Sequence, residues 1–101
     1  MKLIDVFSKR SRQVTLTAER WNHIVLRHPE MDIYLDELKK VLQNPDLIIQ
    51  DNLDFNIIFY HKYYKEEKQY IVLVVEEEKE FIITAYITQK PKRGTVLWQK
   101  K

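Results

Sequence analysis

The chain has 101 residues and a formal net charge of +2 at pH 7, and it contains one glycine and no cysteine. This length predicts a single domain over residues 1–101, the lack of cysteine excludes disulfides and thiol chemistry, and one glycine cannot build the loops that bind nucleotide phosphates. The longest apolar run, residues 70–75, is far shorter than the ~20 residues that cross a membrane, and residues 1–12 lack the apolar stretch of a signal peptide. We therefore expect a soluble cytoplasmic protein.

The predicted elements are two helices followed mainly by strands. In chain order, the pattern predicts a basic lead-in over residues 1–11, a strand over 13–16, helices over 18–28 and 32–43, and strands over 47–49, 55–63, 69–76, 80–88 and 96–99. Thr17 is a favourable N-cap for the first helix, and Pro29 ends it because the residue before a proline avoids the helical conformation. Short polar connections separate the later strands, and such connections join antiparallel neighbours. The chain is therefore predicted to be an α+β domain, with N-terminal helices packed on one face of a four- to five-stranded antiparallel meander sheet.

His28 is the first candidate for catalysis. At about 100° per residue it falls near the middle of the apolar arc of the first helix and so faces the sheet, where burial could tune the pKa of its imidazole towards neutrality. Arg27 is adjacent in the sequence, and His23 shares a flank of the helix with Arg27. The ordinary alternative is a neutral histidine that is hydrogen-bonded to backbone or that caps the end of the helix.

Thr84 and Tyr86 lie two residues apart on one face of the strand predicted over residues 80–88. Hydroxyl groups within so apolar a strand need hydrogen-bond partners, which favours a small polar site on that face. Threonine and tyrosine are also ordinary strand residues, so a purely structural explanation competes with this site.

Two further groups of residues have compositions that suit an RNA substrate. Tyr60 and Lys62 belong to a run in which aromatics alternate with cations, and such a run can stack bases and bind phosphates or protect a sheet edge. Lys92 and Arg93 lie in a basic turn directly after the strand that carries Thr84. This turn would lie at the rim of any site on that face.

The sequence does not predict a metal site. His23 and His28 are five residues apart on the predicted helix and diverge by about 140°. The chain contains no H-E-x-x-H pattern. Neither a metal nor a cofactor is therefore part of the predicted function.

Short motifs spread along the chain resemble one nuclease superfamily. They are Thr17-x-Glu19-Arg20-Trp21-x-His23-Ile24, Arg27-His28-Pro29-Glu30, Asn44-Pro45-Asp46, the Tyr60–Tyr64 cluster and Phe81-Ile82-Ile83-Thr84-Ala85-Tyr86. They extend over residues 12–98 and are similar to the phage branch of the barnase–EndoU–colicin–RelE-like (BECR) superfamily. The resemblance implies an N-terminal helical part, a four-stranded antiparallel sheet and cleavage of RNA without a metal.

The resemblance also implies roles for particular residues. The catalytic set that it implies is His28, Arg27, Thr84 and Tyr86, and the predicted substrate-binding set is His23, Tyr60 and Lys62 with Lys92 and Arg93 at the rim. Histidine would act as a general base or acid, the cations would bind the charge of the phosphate, and the hydroxyls would orient it.

The distribution of charge is compatible with an RNA substrate. The net charge is +3 over residues 1–30, −6 over 31–80 and +5 over 81–101, although such imbalances also occur on ordinary surfaces. We predict a metal-independent endoribonuclease acting on tRNA or mRNA, as a toxin or prophage-associated effector that an antitoxin or immunity protein inhibits. The alternatives are a non-catalytic RNA- or protein-binding module on the same fold, and an interaction protein whose acidic middle meets a basic partner.

Overall fold

The computed structural model describes all residues from 1 to 101, and they form a mixed seven-stranded sheet with helices on one face. The elements in chain order are β1 (Lys2–Phe7), β2 (Gln13–Thr17), α1 (Ala18–Arg27), a 3-10 helix (Pro29–Glu37), α2 (Leu38–Gln43), β3 (Leu47–Gln50), β4 (Ile57–Tyr64), β5 (Gln69–Glu76), β6 (Phe81–Thr88) and β7 (Thr95–Gln99). No helix is long and apolar enough to cross a membrane.

The order of strands in the sheet is β1-β2-β6-β5-β4-β3-β7. The α+β class is confirmed, and β3, β4, β5 and β6 form the expected antiparallel run. The prediction of a four- to five-stranded antiparallel meander that follows N-terminal helices is wrong. Two strands precede the helices, and β2 pairs with β6 in parallel through Thr15 and Phe81. The parallel pairing depends on a contact between distant parts of the chain, which local sequence patterns do not reveal.

The predicted lead-in over residues 1–11 is a structural part of the sheet. β1 pairs with β2 as an antiparallel hairpin at one edge, and Ile4 from β1 is fully within the core. The strand escapes sequence inspection because Lys2 and Asp5 interrupt a short apolar segment. From Ile4 onwards, the inward residues Ile4 and Val6 alternate with the exposed residues Asp5 and Phe7, as in a strand with one buried face.

The first helix forms as predicted, and the second differs. Thr17 caps α1 by accepting a hydrogen bond from the Arg20 amide at 3.1 Å, and the helix ends just before His28. The single helix predicted over residues 32–43 is instead a 3-10 helix followed by the short α2. Pro29 occupies the first turn of the 3-10 helix, and Met31 is fully buried with Tyr34 packed against the core three residues later. That spacing matches three residues per turn.

The two faces of the sheet have different surroundings. The helix-covered face holds the main core, and its strand side chains are Ile4, Val14, Leu16, Ile48, Ile58, Tyr60, Ile71, Leu73, Val75, Ile82 and Ala85. The opposite face, which we call the open face, carries a smaller cluster formed by Ile49, Phe59, Val72 and Val74, with Tyr70, Ile83 and Tyr86 packed against it. The candidate site lies on this open face.

The crossover segment, residues 89–94, connects β6 to β7 across the open face. It crosses β5, β4 and β3, so that it spans four inter-strand spacings, or about 19 Å at ~4.8 Å each. The seven residue steps from Thr88 to Thr95 reach at most about 25 Å when fully extended. The segment therefore has little slack. Contacts of Lys92 with His61 and Phe59 confirm its path over the open face.

Candidate active site on the open face of the sheet

The end of α1 brings His28 to the sheet. The buried side chains of Trp21 and Ile24 hold the helix in place, and Pro29 stops it, so that His28 becomes the C-cap with its amide bonded to the Ile24 carbonyl at 2.8 Å. The centroids of the His28 and Tyr86 rings are 6.0 Å apart. The His28 side chain is 34% exposed, so the imidazole is accessible to a substrate while it contacts the sheet.

Glu30 lies beside the same imidazole. Its carboxylate oxygen Oε2 is 3.6 Å from Nδ1 of His28, beyond direct hydrogen-bond distance but close enough for attraction when the imidazole is charged. Glu30 belongs to the Arg27–Glu30 motif, but no feature of the motif assigns it a role.

Thr84 and Tyr86 form the floor of the candidate site. They project from β6 on the open face, opposite Val74 and Val72 of β5, and both are partly exposed. Burial raises the pKa of the Tyr86 hydroxyl above its ordinary value, so the phenol stays protonated at neutral pH and can donate a hydrogen bond. The predicted pairing of these two hydroxyls on one face therefore agrees with their placement.

β6 contains a bulge directly before Thr84, and the side chain of Arg20 from α1 contacts the residues around it. Val75 pairs with Ile82 and Val74 with Thr84, so Ile83 is an extra residue in β6. Arg20 lies over the Phe81 ring at 5.5 Å, and its Nη1 is 3.5 Å from the Ile83 carbonyl oxygen. The sequence analysis did not select Arg20 as a site residue. It could not show that α1 lies beside the edge of β6 that pairs with β2 only through Phe81 and Thr15.

Lys92 provides a cation on the same face. Its ammonium lies 5.2 Å from the centroid of the Phe59 ring, and Phe59 pairs with Val74, which in turn pairs with Thr84. Lys92 is thus two strands, or about 10 Å, from the Thr84 position. Arg93 follows it as an exposed residue of the crossover segment.

Tyr60 and Lys62 are not part of this cluster, because they lie on the helix-covered face of β4. Tyr60 is fully buried in the main core, and Lys62 donates a hydrogen bond to the Asn44 carbonyl at 2.9 Å. Their neighbours Phe59 and His61 alternate onto the open face. Tyr60 is therefore out of reach of a substrate, in contrast with its predicted substrate-binding role.

Tyr60 instead belongs to a buried polar network that the sequence did not reveal. Its hydroxyl lies 2.8 Å from the Ser8 hydroxyl and 3.0 Å from the Glu77 carboxylate, which also accepts two hydrogen bonds from Arg10 at 2.8 and 3.0 Å. Burial opposes ionisation of Glu77, but the hydrogen bonds from Arg10 and Tyr60 outweigh it and lower its pKa. Burial also raises the pKa of the Tyr60 hydroxyl. The network joins the β1–β2 hairpin to the end of β5.

The remaining predicted residues, His23 and Arg27, are exposed on α1. His23 lines a surface cavity of 330 Å³ together with Thr17, Glu19 and Arg20, and neither His28 nor Tyr86 lines this cavity. Arg27 is adjacent to His28 at the end of the helix. No group of three or more His, Asp or Glu side chains is placed to hold a metal ion.

Comparison of the chain with models of protein families, with curated proteins and with solved structures finds no significant match. The resemblance to the BECR superfamily therefore rests on the short motifs.

Proposed function

We propose that this protein is a metal-independent endoribonuclease whose active site lies on the open face beside the end of α1. The observation that carries the proposal is the contact between the His28 and Tyr86 rings, 6.0 Å apart. Thr84 and Lys92 lie on the same face. A nuclease that uses neither a metal nor a thiol relies on side chains of the types found here, namely histidine, tyrosine, threonine and lysine.

In this mechanism the 2′-oxygen of a ribose attacks the adjacent phosphorus, the bond to the 5′-oxygen breaks, and a 2′,3′-cyclic phosphate forms. His28 either accepts the proton from the 2′-hydroxyl or donates one to the leaving 5′-oxygen. Glu30 would stabilise the charged imidazole. Tyr86 and Thr84 would donate hydrogen bonds to the phosphoryl oxygens, and Arg27 would bind the negative charge that develops on them. Lys92, about 10 Å from the Thr84 position, would bind a neighbouring phosphate of the RNA.

Cleavage of total RNA and of tRNA in the presence of EDTA tests the proposal. We expect the His28→Ala protein to cleave about 10²- to 10⁴-fold more slowly, which is the usual contribution of a general acid or base. Asn22→Ala, at an exposed position on the same helix, is the matched control and should cleave at the wild-type rate. Lack of cleavage by the wild-type protein, or full cleavage by His28→Ala, would contradict the assignment.

A non-catalytic RNA-binding module is the second candidate. Lys92 and Arg93 in the crossover segment could bind phosphates beside the hydroxyls of Thr84 and Tyr86 without any proton transfer. Salt-dependent binding of RNA with no turnover would favour this candidate over the nuclease.

The biological role that we propose for the nuclease is that of a toxin or prophage-associated effector restrained by an antitoxin or immunity protein. An inhibitor of this kind would cover the open face and so block access to His28. Growth arrest on expression of the wild-type chain, with normal growth on expression of His28→Ala, is the expected result. Equal growth of both strains would argue against a toxin.

A further inference from the structure

His61 is a fully buried histidine on the open face of β4, and its partners determine its protonation state. Its Nδ1 lies 3.1 Å from the Phe59 carbonyl oxygen, and its Nε2 lies 2.9 Å from the backbone nitrogen of Lys92. A carbonyl only accepts and an amide N–H only donates, so Nδ1 carries the proton and Nε2 accepts from Lys92. His61 is therefore the neutral Nδ1–H tautomer.

The Lys92 amide is the middle of three places where the crossover segment is held. At its start, Thr88 Oγ1 donates to the Lys90 carbonyl at 3.0 Å. At its end, Gly94 packs so closely on β3 that a Cβ there would lie 2.4 Å from the Gln50 carbonyl oxygen. Between them, the bond to His61 is what fixes the backbone that carries the Lys92 ammonium over Phe59.

The surroundings of His61 oppose a positive charge on its ring. Burial lowers the pKa of His61 more than its backbone hydrogen bonds to Phe59 and Leu47 raise it. From β5 the Tyr70 ring meets it edge-on at 5.9 Å, and from the crossover segment the facing group is the cationic Lys92.

Asp46 directly precedes Leu47, the residue of β3 that pairs with His61, and its carboxylate has other partners. It accepts a hydrogen bond from the Tyr63 amide, and its other oxygen is 3.8 Å from the Lys100 ammonium.

Protonation of His61 would also place an N–H against the N–H of Lys92. The two donors cannot bond, so the crossover segment must move away when His61 gains a proton.

We propose that His61 is a positioning residue, which holds the crossover segment over the open face when neutral and releases it, together with Lys92, when protonated. This inference rests on the proposed function insofar as Lys92 contacts RNA. It makes RNA affinity depend on a histidine that touches no substrate. Acidification below the ordinary titration range of histidine would then weaken RNA binding.

Two substitutions distinguish the role of His61 as a hydrogen-bond acceptor for the Lys92 amide from its ability to take up a proton. His61→Gln places an amide oxygen near the position of Nε2, so it keeps an acceptor for the Lys92 amide but does not titrate. His61→Asn is too short to reach Lys92 and removes the acceptor. The measurements are hydrogen exchange of the Lys92 amide by NMR between pH 8 and pH 5, and binding of a 2′-O-methyl RNA oligonucleotide, which has no nucleophile and is not cleaved.

In the wild-type protein we expect the Lys92 amide to exchange more slowly than its intrinsic rate at pH 8. This protection should be lost as the pH falls, and RNA affinity should fall with it. His61→Gln should keep both across this range. His61→Asn should lack protection at every pH and bind the oligonucleotide about tenfold more weakly at pH 7.5, the usual effect of losing one well-placed charged contact. Adding Lys92→Ala to His61→Asn should then cause little further loss.

Equal behaviour of the Gln and Asn variants, or Lys92 protection that is independent of pH in the wild-type protein, would overturn the inference. The wild-type titration needs no substitution, so this outcome is available even if a variant fails to fold. A wild-type protein with pH-dependent Lys92 protection but no affinity for RNA would refute the proposed function and leave the role of His61 in holding the segment intact. RNA affinity unchanged in a folded His61→Asn protein would refute the link between His61 and the site.

Discussion

Gly94 lies where the crossover segment enters β7, with a φ of +154° that side chains rarely adopt. A Cβ at this position would lie 2.4 Å from the Gln50 carbonyl oxygen and 2.6 Å from Cγ2 of Ile49. The backbone oxygen cannot move without disturbing the pairing of β3 with its neighbours. The single glycine in the sequence thus allows the close approach of two backbones, and a short basic segment can cross the sheet because of it.

Gly94→Ala should therefore destabilise the protein by about 2–4 kcal/mol, because a strained φ and a backbone clash both act at this position. The free energy of unfolding in urea measures the change. Gln89→Ala, exposed in the same segment, should leave this free energy within about 0.5 kcal/mol of the wild-type value. An unchanged unfolding midpoint for Gly94→Ala would show that the segment lands on β3 differently.

The alternation of β4 decides which of its side chains can take part in a site. Phe59 and His61 lie on the open face with Thr84, whereas Tyr60 and Lys62 lie on the helix-covered face. Both sets are rich in aromatic and basic residues, so composition alone does not separate them. The faces of β4 and β6 can be matched only through the register of β5 and the extra residue in β6, and neither follows from local sequence.

Tyr60→Phe tests whether this residue supports the fold or the site. The substitution keeps the ring in the core but leaves the Glu77 carboxylate without one buried hydrogen bond, which should cost about 1–3 kcal/mol in the free energy of unfolding. Tyr63→Phe, on the same strand with 40% of the residue exposed, should cost much less. Both variants should cleave RNA at the wild-type rate per folded molecule, and a selective loss of cleavage in Tyr60→Phe would instead support its predicted role in substrate binding.

At the scale of the molecule, local signals predicted part of the structure and long-range pairing determined the rest. The Thr17 cap, α1 and the antiparallel run from β3 to β6 follow from caps, periodicity and short connections. Helical periodicity predicted that His28 faces the sheet from within the first helix. In the structure His28 is instead the C-cap beyond the end of α1, and its ring centroid lies 6.0 Å from that of Tyr86. The parallel pairing of β2 with β6, the position of β7 beyond β3 and the crossing of residues 89–94 could not be predicted, because each joins segments that no short-range pattern connects.

The same buried groups predict how the stability of the whole domain depends on pH. His61 has its pKa lowered below 6.5 by burial, so the unfolded chain binds the proton more readily and stability falls as the pH drops below 6.5. Glu77 has its pKa lowered below 4.5, and its contribution is lost only at more acidic pH. Tyr60 and Tyr64 have their pKa values raised above 10.0 by burial, so stability falls again as the pH rises above 10.

The free energy of unfolding should therefore be nearly constant between about pH 7 and pH 9.5 and decrease on both sides. The decrease just below pH 6.5 should have a slope of at most about 1.4 kcal/mol per pH unit, the limit for uptake of one proton. In His61→Gln this first decrease should be smaller while the later one, due to the carboxylates, remains. Urea titrations of both proteins at half-unit steps from pH 8 to pH 4 measure the difference. The two proteins differ only at residue 61. If their plots of unfolding free energy against pH superimpose, His61 is not the group that causes the first decrease.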